Sequence, residues 1–570
     1  MSAIIIPPAS RSRYAWSRRG DVNAFFGLML DNIGDMILMA GLLVAFGFPR
    51  AFVLTRMIPG TAVGVLVGDL IFTAMAFRLA RKSGRGDVTA MPLGLDTPST
   101  FGSVFLILGP AFLAARGRGL DLEAASREAW FVGIAMILAS GIFKLICSVL
   151  GGWVRRVVPR AGLLGSLTAI ALVLISFLPL IDIASTPVAG LAALTVILIT
   201  LTARWRLPRD FPGALAAVLI GSALYYLMHL AGLGPGLGGG EMARPGSAFR
   251  AVLPMPIAEW FAWFQGSWRV ALGYLPVAIP LALTTVVGGI DCTESASTVG
   301  DEYPTGQILA SDAVATLVGG LFGGVIQSTP YIGHPAYKSM GAAAGYTLAT
   351  ALFVGGAGIF GYFDWIFYLV PKAVVFPILI FVGLEITAQS FHATPVRHYP
   401  AVALACVPAL AYLALLALNQ VLSQARPFGE LTESTRHWIQ TVTILSGGFI
   451  VTSLLWASTL SFLIDGKIRS AAITLVLAGA FAIFGVIHSP LPSGPIIAPN
   501  EAIRQLKEMG RFETAKYQTP YHWAAAYWIS SGILLAMGRW GGALGSKPEG
   551  KPAESQDGLS EEQVASLDFS

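Results

Sequence analysis

The chain has 570 residues, of which 55% are hydrophobic and only 12% charged, where a water-soluble protein carries about 25% charged residues. That composition excludes an ordinary soluble globular protein and fits an all-α polytopic membrane protein. The formal charge of +5 does not indicate a nucleic-acid partner, because the excess Lys and Arg lie in loops beside apolar runs, where they set orientation in the membrane.

The N-terminal stretch Arg11-Ser12-Arg13 to Arg18-Arg19-Gly20 leads into a long apolar run without a small-residue cleavage site, so residues 1–20 read as an uncleaved cytoplasmic segment. Apolar runs of spanning length follow near 24–47, 51–77, 98–115, 129–151, 161–181, 187–203 and 211–231. Together they form a first transmembrane repeat, 21–232. An extracytoplasmic loop, 233–267, ends in Trp260, Phe261, Trp263 and Phe264, followed by Trp268, aromatics suited to a membrane interface. A second repeat, 268–465, holds runs near 270–290, 306–326, 335–345, 347–369, 373–390, 399–418 and 438–464. Extra membrane segments follow over 466–542, near 468–488 and 523–538, with Asn500–Lys507 between them as a short amphipathic surface helix. The tail, 543–570, is polar and rich in Pro and Gly, which predicts disorder. The count is fourteen segments, or sixteen with the two C-terminal ones.

Orientation follows from charge. Fourteen Lys and Arg fall in the first-half loops on the N-terminal side (Arg11 to Arg209), against five on the other (Arg50, Arg56, Arg116, Arg118, Arg127). This bias places the N-terminus in the cytoplasm, and the expected location is the cytoplasmic (inner) membrane.

Two polar stretches broken by Pro and Gly interrupt the apolar pattern at matching places in the two halves: Met91–Pro98 and Thr329–Pro335. Non-helical backbone at membrane depth is tolerated only when protein or a water-filled cavity covers it. A matched pair of such breaks marks the binding site of a secondary transporter. In each, a polar residue precedes proline at a helix start, Thr97-Pro98 and His334-Pro335, where the missing N–H does no harm. Two half-helices, the third and the tenth, are therefore expected to begin at mid-membrane after short extended segments, with positive ends turned toward one cavity.

The other landmarks recur in the same order. Asp31 and Asp35, Gly68-Asp69, the first break and Val158-Pro159-Arg160-Ala161 are matched by Asp291 and Glu294, Ser311-Asp312, the second break and Val370-Pro371-Lys372-Ala373. With seven spans per half, an odd number, the second copy enters the membrane upside down, giving two inverted seven-helix repeats.

Ionisable residues inside spans cost about 2.5–3.5 kcal/mol each at mid-helix and mark function by default. Asp291 and Glu294, three apart, share a helical face and could hold a substrate N–H. Asp69 and Asp312 are expected to tie helices together, and His334 with Lys338 makes the second break electropositive. Gly60, Gly64 and Gly68, with Gly319 and Gly323, form small-residue stripes for close helix contact. The three cysteines, Cys147, Cys292 and Cys406, are spaced as neither a disulfide framework nor a zinc site. Common enzyme signatures are missing, so the chain is not expected to be an enzyme or to couple transport to ATP itself.

The span Val88–Phe101, the stretch Gly289–Glu294, the Ser328–Pro335 break and the Val-Pro-Lys-Ala helix start resemble nucleobase:cation symporters. The likeness is to the xanthine/uracil and adenine/guanine/hypoxanthine permeases and covers about residues 20–465. The later stretch Phe484–Pro492 resembles an uncharacterised bacterial branch. The resemblance implies a core domain moving against a gate domain, with substrate held between the third, eighth and tenth helices. Asp291 stands at the position of the base-binding carboxylate. Where those permeases commonly carry a glutamate, this chain has Gly333-His334, and the Gln/Glu-Asn-x-Gly signature after the break is absent.

The expectation is a proton- or sodium-coupled symporter importing a planar base such as a purine, with no cofactor beyond the coupling ion. Asp291 and Glu294 would bind substrate, backbone near Thr97, Gly333 and His334 would meet its carbonyls, and Asp96, Phe101 and Tyr331 would line the pocket. Asp31, Asp69, Asp312 and Lys338 would couple or tether. A homodimer stays open as an assembly. The alternatives are an anion or small-carboxylate carrier of the same architecture, as in the sulfate permease group, and a non-transporting receptor or scaffold.

Overall fold

The computed structural model describes residues 14–157, 159–233, 268–331, 333–422, 428–492 and 497–544. The aromatic loop expected over 233–267 and the tail over 543–570 lie, but for Leu233, Ala543 and Leu544, outside the described residues. Nine helices among the described residues are long and apolar enough to cross a membrane, and up to eleven spans result if each of two bent helix pairs counts as one. The chain is a multi-pass membrane protein.

The first repeat runs α1 (Gly20–Ala45), α2 (Ile58–Ser83), β1 (Leu93–Leu95), α3 (Thr97–Ser103, continued by a π-helical turn and Gly109–Gly117), α4 (Leu122–Val157), α5 (Arg160–Ile170), α6 (Pro187–Ile197) and α7 (Gly213–Leu230). The second runs α8 (Leu275–Thr298), α9 (Thr305–Leu321), β2 (Ser328–Pro330), α10 (His334–Ser339), α11 (Gly345–Ile359), α12 (Pro377–His392), α13 (Tyr399–Leu422), α14 (Glu433–Ser446) and α15 (Phe449–Ile464). Beyond the repeats come α16 (Ile468–Ile483), α17 (Pro499–Glu508) and α18 (Pro520–Leu544).

Proline sets several of these boundaries, because its fixed φ suits a helix start and its missing donor costs nothing there. Pro159 and Pro371 are extended N-caps (ψ 140° and 136°) of α5 and of the short helix Lys372–Val375 that leads into α12. The matched Val-Pro-basic-Ala sequences thus do the same job in each half.

The halves run in opposite directions. Gly300, just past α8, receives the Arg85 guanidinium from just past α2, on the side where Tyr14 donates to the Val88 carbonyl (3.0 Å). The start of α8, at Tyr274, lies instead near Arg118 beyond α3. β1 and β2 are accordingly antiparallel, pairing Leu93 with Pro330, Gly94 with Thr329 and Leu95 with Ser328. Helices α1–α4 and α8–α11 form a core domain around this ribbon, and α5–α7 with α12–α15 form a gate domain beside it.

At the centre of the core, α2 crosses α9 on facing glycines. A Cβ on Gly64 would stand 3.2 Å from the Ala315 carbonyl oxygen and 3.3 Å from the Gly319 Cα, and one on Gly60 would collide with the backbone of Gly324. Backbones this close gain packing that lipid cannot supply. Helix α17 keeps Ala502 and Leu506 buried against Leu491 and Ala515, so its apolar edge faces protein. The substitution Gly60→Ala is expected to cost about 1–3 kcal/mol through overpacking, seen as a lower unfolding midpoint in detergent.

Candidate functional site

The first break is a sequence of satisfied amides ending in a capped helix. Leu93 N–H donates to Asp69 Oδ1 (3.2 Å), Leu95 N–H to Asn32 Oδ1 (3.0 Å) and Asp96 N–H to the Gln327 carbonyl (3.0 Å). Asp96 then caps α3, its Oδ2 accepting from the Ser99 amide at 3.0 Å and from the Ser99 hydroxyl. The Gln327 side-chain amide donates in turn to that hydroxyl. Thr97 donates its hydroxyl to Asp35 Oδ2 at 2.9 Å, which ties the half-helix start to α1.

Asp31 and Asp35, one turn apart on α1, are both buried. Neither oxygen of Asp31 nor Asp35 Oδ1 has a hydrogen-bond partner, and no basic side chain pairs with either among the described residues. Asp31 stands against the ribbon, since a Cβ on Gly94 would be 3.4 Å from its Oδ2 and 3.8 Å from the Tyr331 ring. Tyr331 lies among Asp31, Asp35 and Glu385, the last contributed by α12 of the gate. Its ring folds over Gly333, where a Cβ would come within 2.7 Å of it.

On the gate side of α3, Pro98, Phe101, Gly102 and Leu106 face Ile170, Leu174, Tyr412, Phe449 and Ile450 across an apolar cleft too narrow to admit a water molecule. Asp291 is partly exposed on α8. Its neighbour Cys292 donates to the Pro330 carbonyl (3.2 Å), joining α8 to the second break. The Glu294 side chain lies outside the described residues.

The second break is anchored by charge. Asp312 Oδ1 accepts from the Ser328 hydroxyl (2.9 Å), and its Oδ2 meets Lys144 Nζ at 2.8 Å. Lys144 also donates to the Ser328 carbonyl (2.6 Å) and to Thr316 Oγ1 (3.1 Å). Asp69 and Asp312 thus hold equivalent places behind the two breaks, but among the described residues only Asp312 has a cation.

His334 and Lys338 turn away from the ribbon to a third carboxylate. Asp301, buried in the loop between α8 and α9, receives Lys338 Nζ at 2.6 Å, His334 Nε2 at 3.1 Å, the Thr89 amide at 3.1 Å and Arg85 at 3.3 Å. Burial alone would push the Asp301 carboxyl up, but the hydrogen bonds from His334, Lys338 and Thr89 outweigh it and hold the group below its ordinary value. Helix α10 is only six residues long, so the second half-helix presents little dipole.

The structure therefore gathers Asp31, Asp96, Thr97, Phe101 and Tyr331 about the first break, with Asp35 and Glu385. It places His334 and Lys338 at the end of the core. Asn32, Gln327, Lys144 and Asp301 were not singled out from sequence. Of these, only Lys144, a lone cation within the apolar run 129–151, carried a local signal.

No protein-family model matches this sequence, and no curated protein does. Among solved structures, the chain is similar to the transmembrane domain of a cyanobacterium bicarbonate transporter, BicA, with 15% identity, 77% of this chain and 97% of that one covered, and a TM-score of 0.42. It is also similar to the overall structure of SLC26A9 (11% identity, 92% of each chain, TM-score 0.45) and to murine SLC26A9, an anion transporter in the inward-facing state (15%, 74% and 70%, 0.39). Membership of the nucleobase:cation symporters, which the motifs implied, is corrected by these findings. The proline-led starts and tethering carboxylates that carried it serve the geometry of the breaks, and that geometry does not report the substrate.

Two outcomes follow. Lys144→Met, which strands Asp312, should destabilise the protein by about 3–5 kcal/mol, and adding Asp312→Asn should restore most of it in thermal unfolding. The lowered Asp301 carboxyl contributes stability that is full above its unfolded pKa of about 3.9 and is lost as pH falls through the folded value. Wild type should accordingly lose more stability on acidification below about pH 4 than Asp301→Asn does.

Proposed function

We propose that the protein is a cation-coupled secondary transporter of a small anion in the cytoplasmic membrane, with its N-terminus inside. The observation that carries this reading is the buried carboxylate pair Asp31 and Asp35 beside the start of α3, which has no basic partner among the described residues and of whose oxygens only Asp35 Oδ2 is hydrogen-bonded, by Thr97. A carboxylate buried without a partner is costly unless it takes up a proton or meets a cation. The adjacent half-helix, continued to Gly117, turns its positive end to the same place. An acidic pair next to a helix start suits a cation and an anion held together.

An anion alone would meet Asp31, Asp35, Asp96 and Glu385 and be repelled. The same anion arriving with protons or sodium would find both charges answered. Coupling is then obligatory, and the solute sits between the Asp96–Thr97 turn, Tyr331 and the gate. Asp291, partly exposed on α8, is a further carboxylate we assign to the same route. His334 and Lys338 act from behind, by holding α10 through Asp301.

Uptake into proteoliposomes tests this, with labelled bicarbonate, sulfate and short carboxylates supplied under inward proton or sodium gradients. One of these anions should accumulate only with a cation gradient, and Asp35→Asn should cut the rate about tenfold, a loss of about 1.4 kcal/mol. Accumulation of a purine or uracil with no anion transported, or the absence of any flux, would sink the reading.

A further inference from the structure

The segment that follows the second repeat grips the gate at a defined point. Helices α14 and α15 are bent by 71° at Gly447-Gly448, where Gly448 adopts φ +66°. A bend of this kind strands the last carbonyls of the first helix. The loop after α16 meets them, with His488 N–H donating to the Gly447 carbonyl at 2.8 Å and His488 Nδ1 lying 3.3 Å from the Ile444 carbonyl. A side chain at Gly448 would collide with the Val486 carbonyl, and Gln440 donates to the Pro490 carbonyl at 2.7 Å.

His488 is fixed from its other side as well. Its Nε2 lies 2.7 Å from the Tyr527 hydroxyl of α18, which accepts from Trp456 Nε1 of α15 at 2.8 Å. The ring stacks on Trp523, with centroids 4.0 Å apart and planes 22° apart. One assignment satisfies every contact: Trp456 donates to Tyr527, Tyr527 donates to Nε2, and a neutral imidazole donates from Nδ1 to Ile444. His488 itself holds φ +55°, a conformation that bulky residues take only when their surroundings impose it.

Immediately beyond the bend come Phe449 and Ile450, the wall of the cleft that faces Pro98 and Phe101. Phe449 stacks on Tyr412 with centroids 4.7 Å apart. From this continuity we infer that His488 and Tyr527 are positioning residues for transport: the C-terminal extension acts as a brace that sets the bend of the last gate helix, and through it the placement of Phe449 and Ile450 against the half-helix. A brace outside the repeats lets the gate wall be adjusted without touching the site.

The test needs no substrate, so its failure is distinct from failure of the transport reading. In full-length protein carrying Cys147→Ala, Cys292→Ala and Cys406→Ala, Ile450→Cys is labelled with a small thiol reagent, with Ser83→Cys as a control at an exposed helix end of the core. Adding His488→Ala should speed labelling at position 450 severalfold and leave position 83 unchanged. Should His488→Ala not fold, Tyr527→Phe, which removes one hydroxyl, decides in the same assay. Equal rates at position 450 in the parent and in the folded variants, or a rise matched at position 83, would overturn the brace.

Discussion

Everything in the core depends on how two extended segments meet each other inside the membrane. Hydrocarbon offers no partner for a backbone amide, and each unsatisfied group there costs several kcal/mol. Only three residues of each segment pair in the ribbon. The amides around it are met by Asn32, Asp69, the Gln327 carbonyl and, for Tyr331, the Pro92 carbonyl. Those partners come from α1, α2 and the opposite break, so the surrounding helices are fixed as closely as the ribbon itself. The glycine crossing of α2 and α9 follows, since the carboxylates at Asp69 and Asp312 must both reach inward from helices that touch.

The two breaks are equivalent in backbone and unequal in charge. Behind the second, Lys144 answers Asp312 and the ribbon is locked by an ion pair. Among the described residues no basic side chain forms an ion pair with Asp69 behind the first, and α1 brings two further carboxylates to it. The pseudo-symmetry thus supplies two similar scaffolds, one electrostatically closed and the other left with charge to be answered. The difference in helix length points the same way, with α3 continued to Gly117 and α10 ending at Ser339.

How much of this could be read in the sequence varied with the range of the interaction. The breaks were legible because Thr97-Pro98 and His334-Pro335 are local events with local chemistry, and the order of landmarks revealed the inverted repeat. His334 and Lys338 looked like a site because four-residue spacing puts them on one helix face. Asp301, which collects them, lies in a loop more than thirty residues away, and no periodicity links it to them. Asn32 lies between two aspartates on α1 and has no local signal of its own. The substrate family is not legible for a different reason: the residues that make a half-helix start are required by the membrane, so they recur whatever is carried.

The antiparallel ribbon also constrains how the protein is made. Leu93 pairs with Pro330, so the first half emerges from the ribosome long before its partner strand exists. At about 5–20 residues per second, tens of seconds separate the two segments. Until then the Met91–Pro98 stretch must stay near water, or in the shelter of the insertion machinery, because lipid would leave its amides bare. The first repeat is therefore a waiting intermediate, and the arrival of Ser328–Pro330 is the step that commits it to the bilayer.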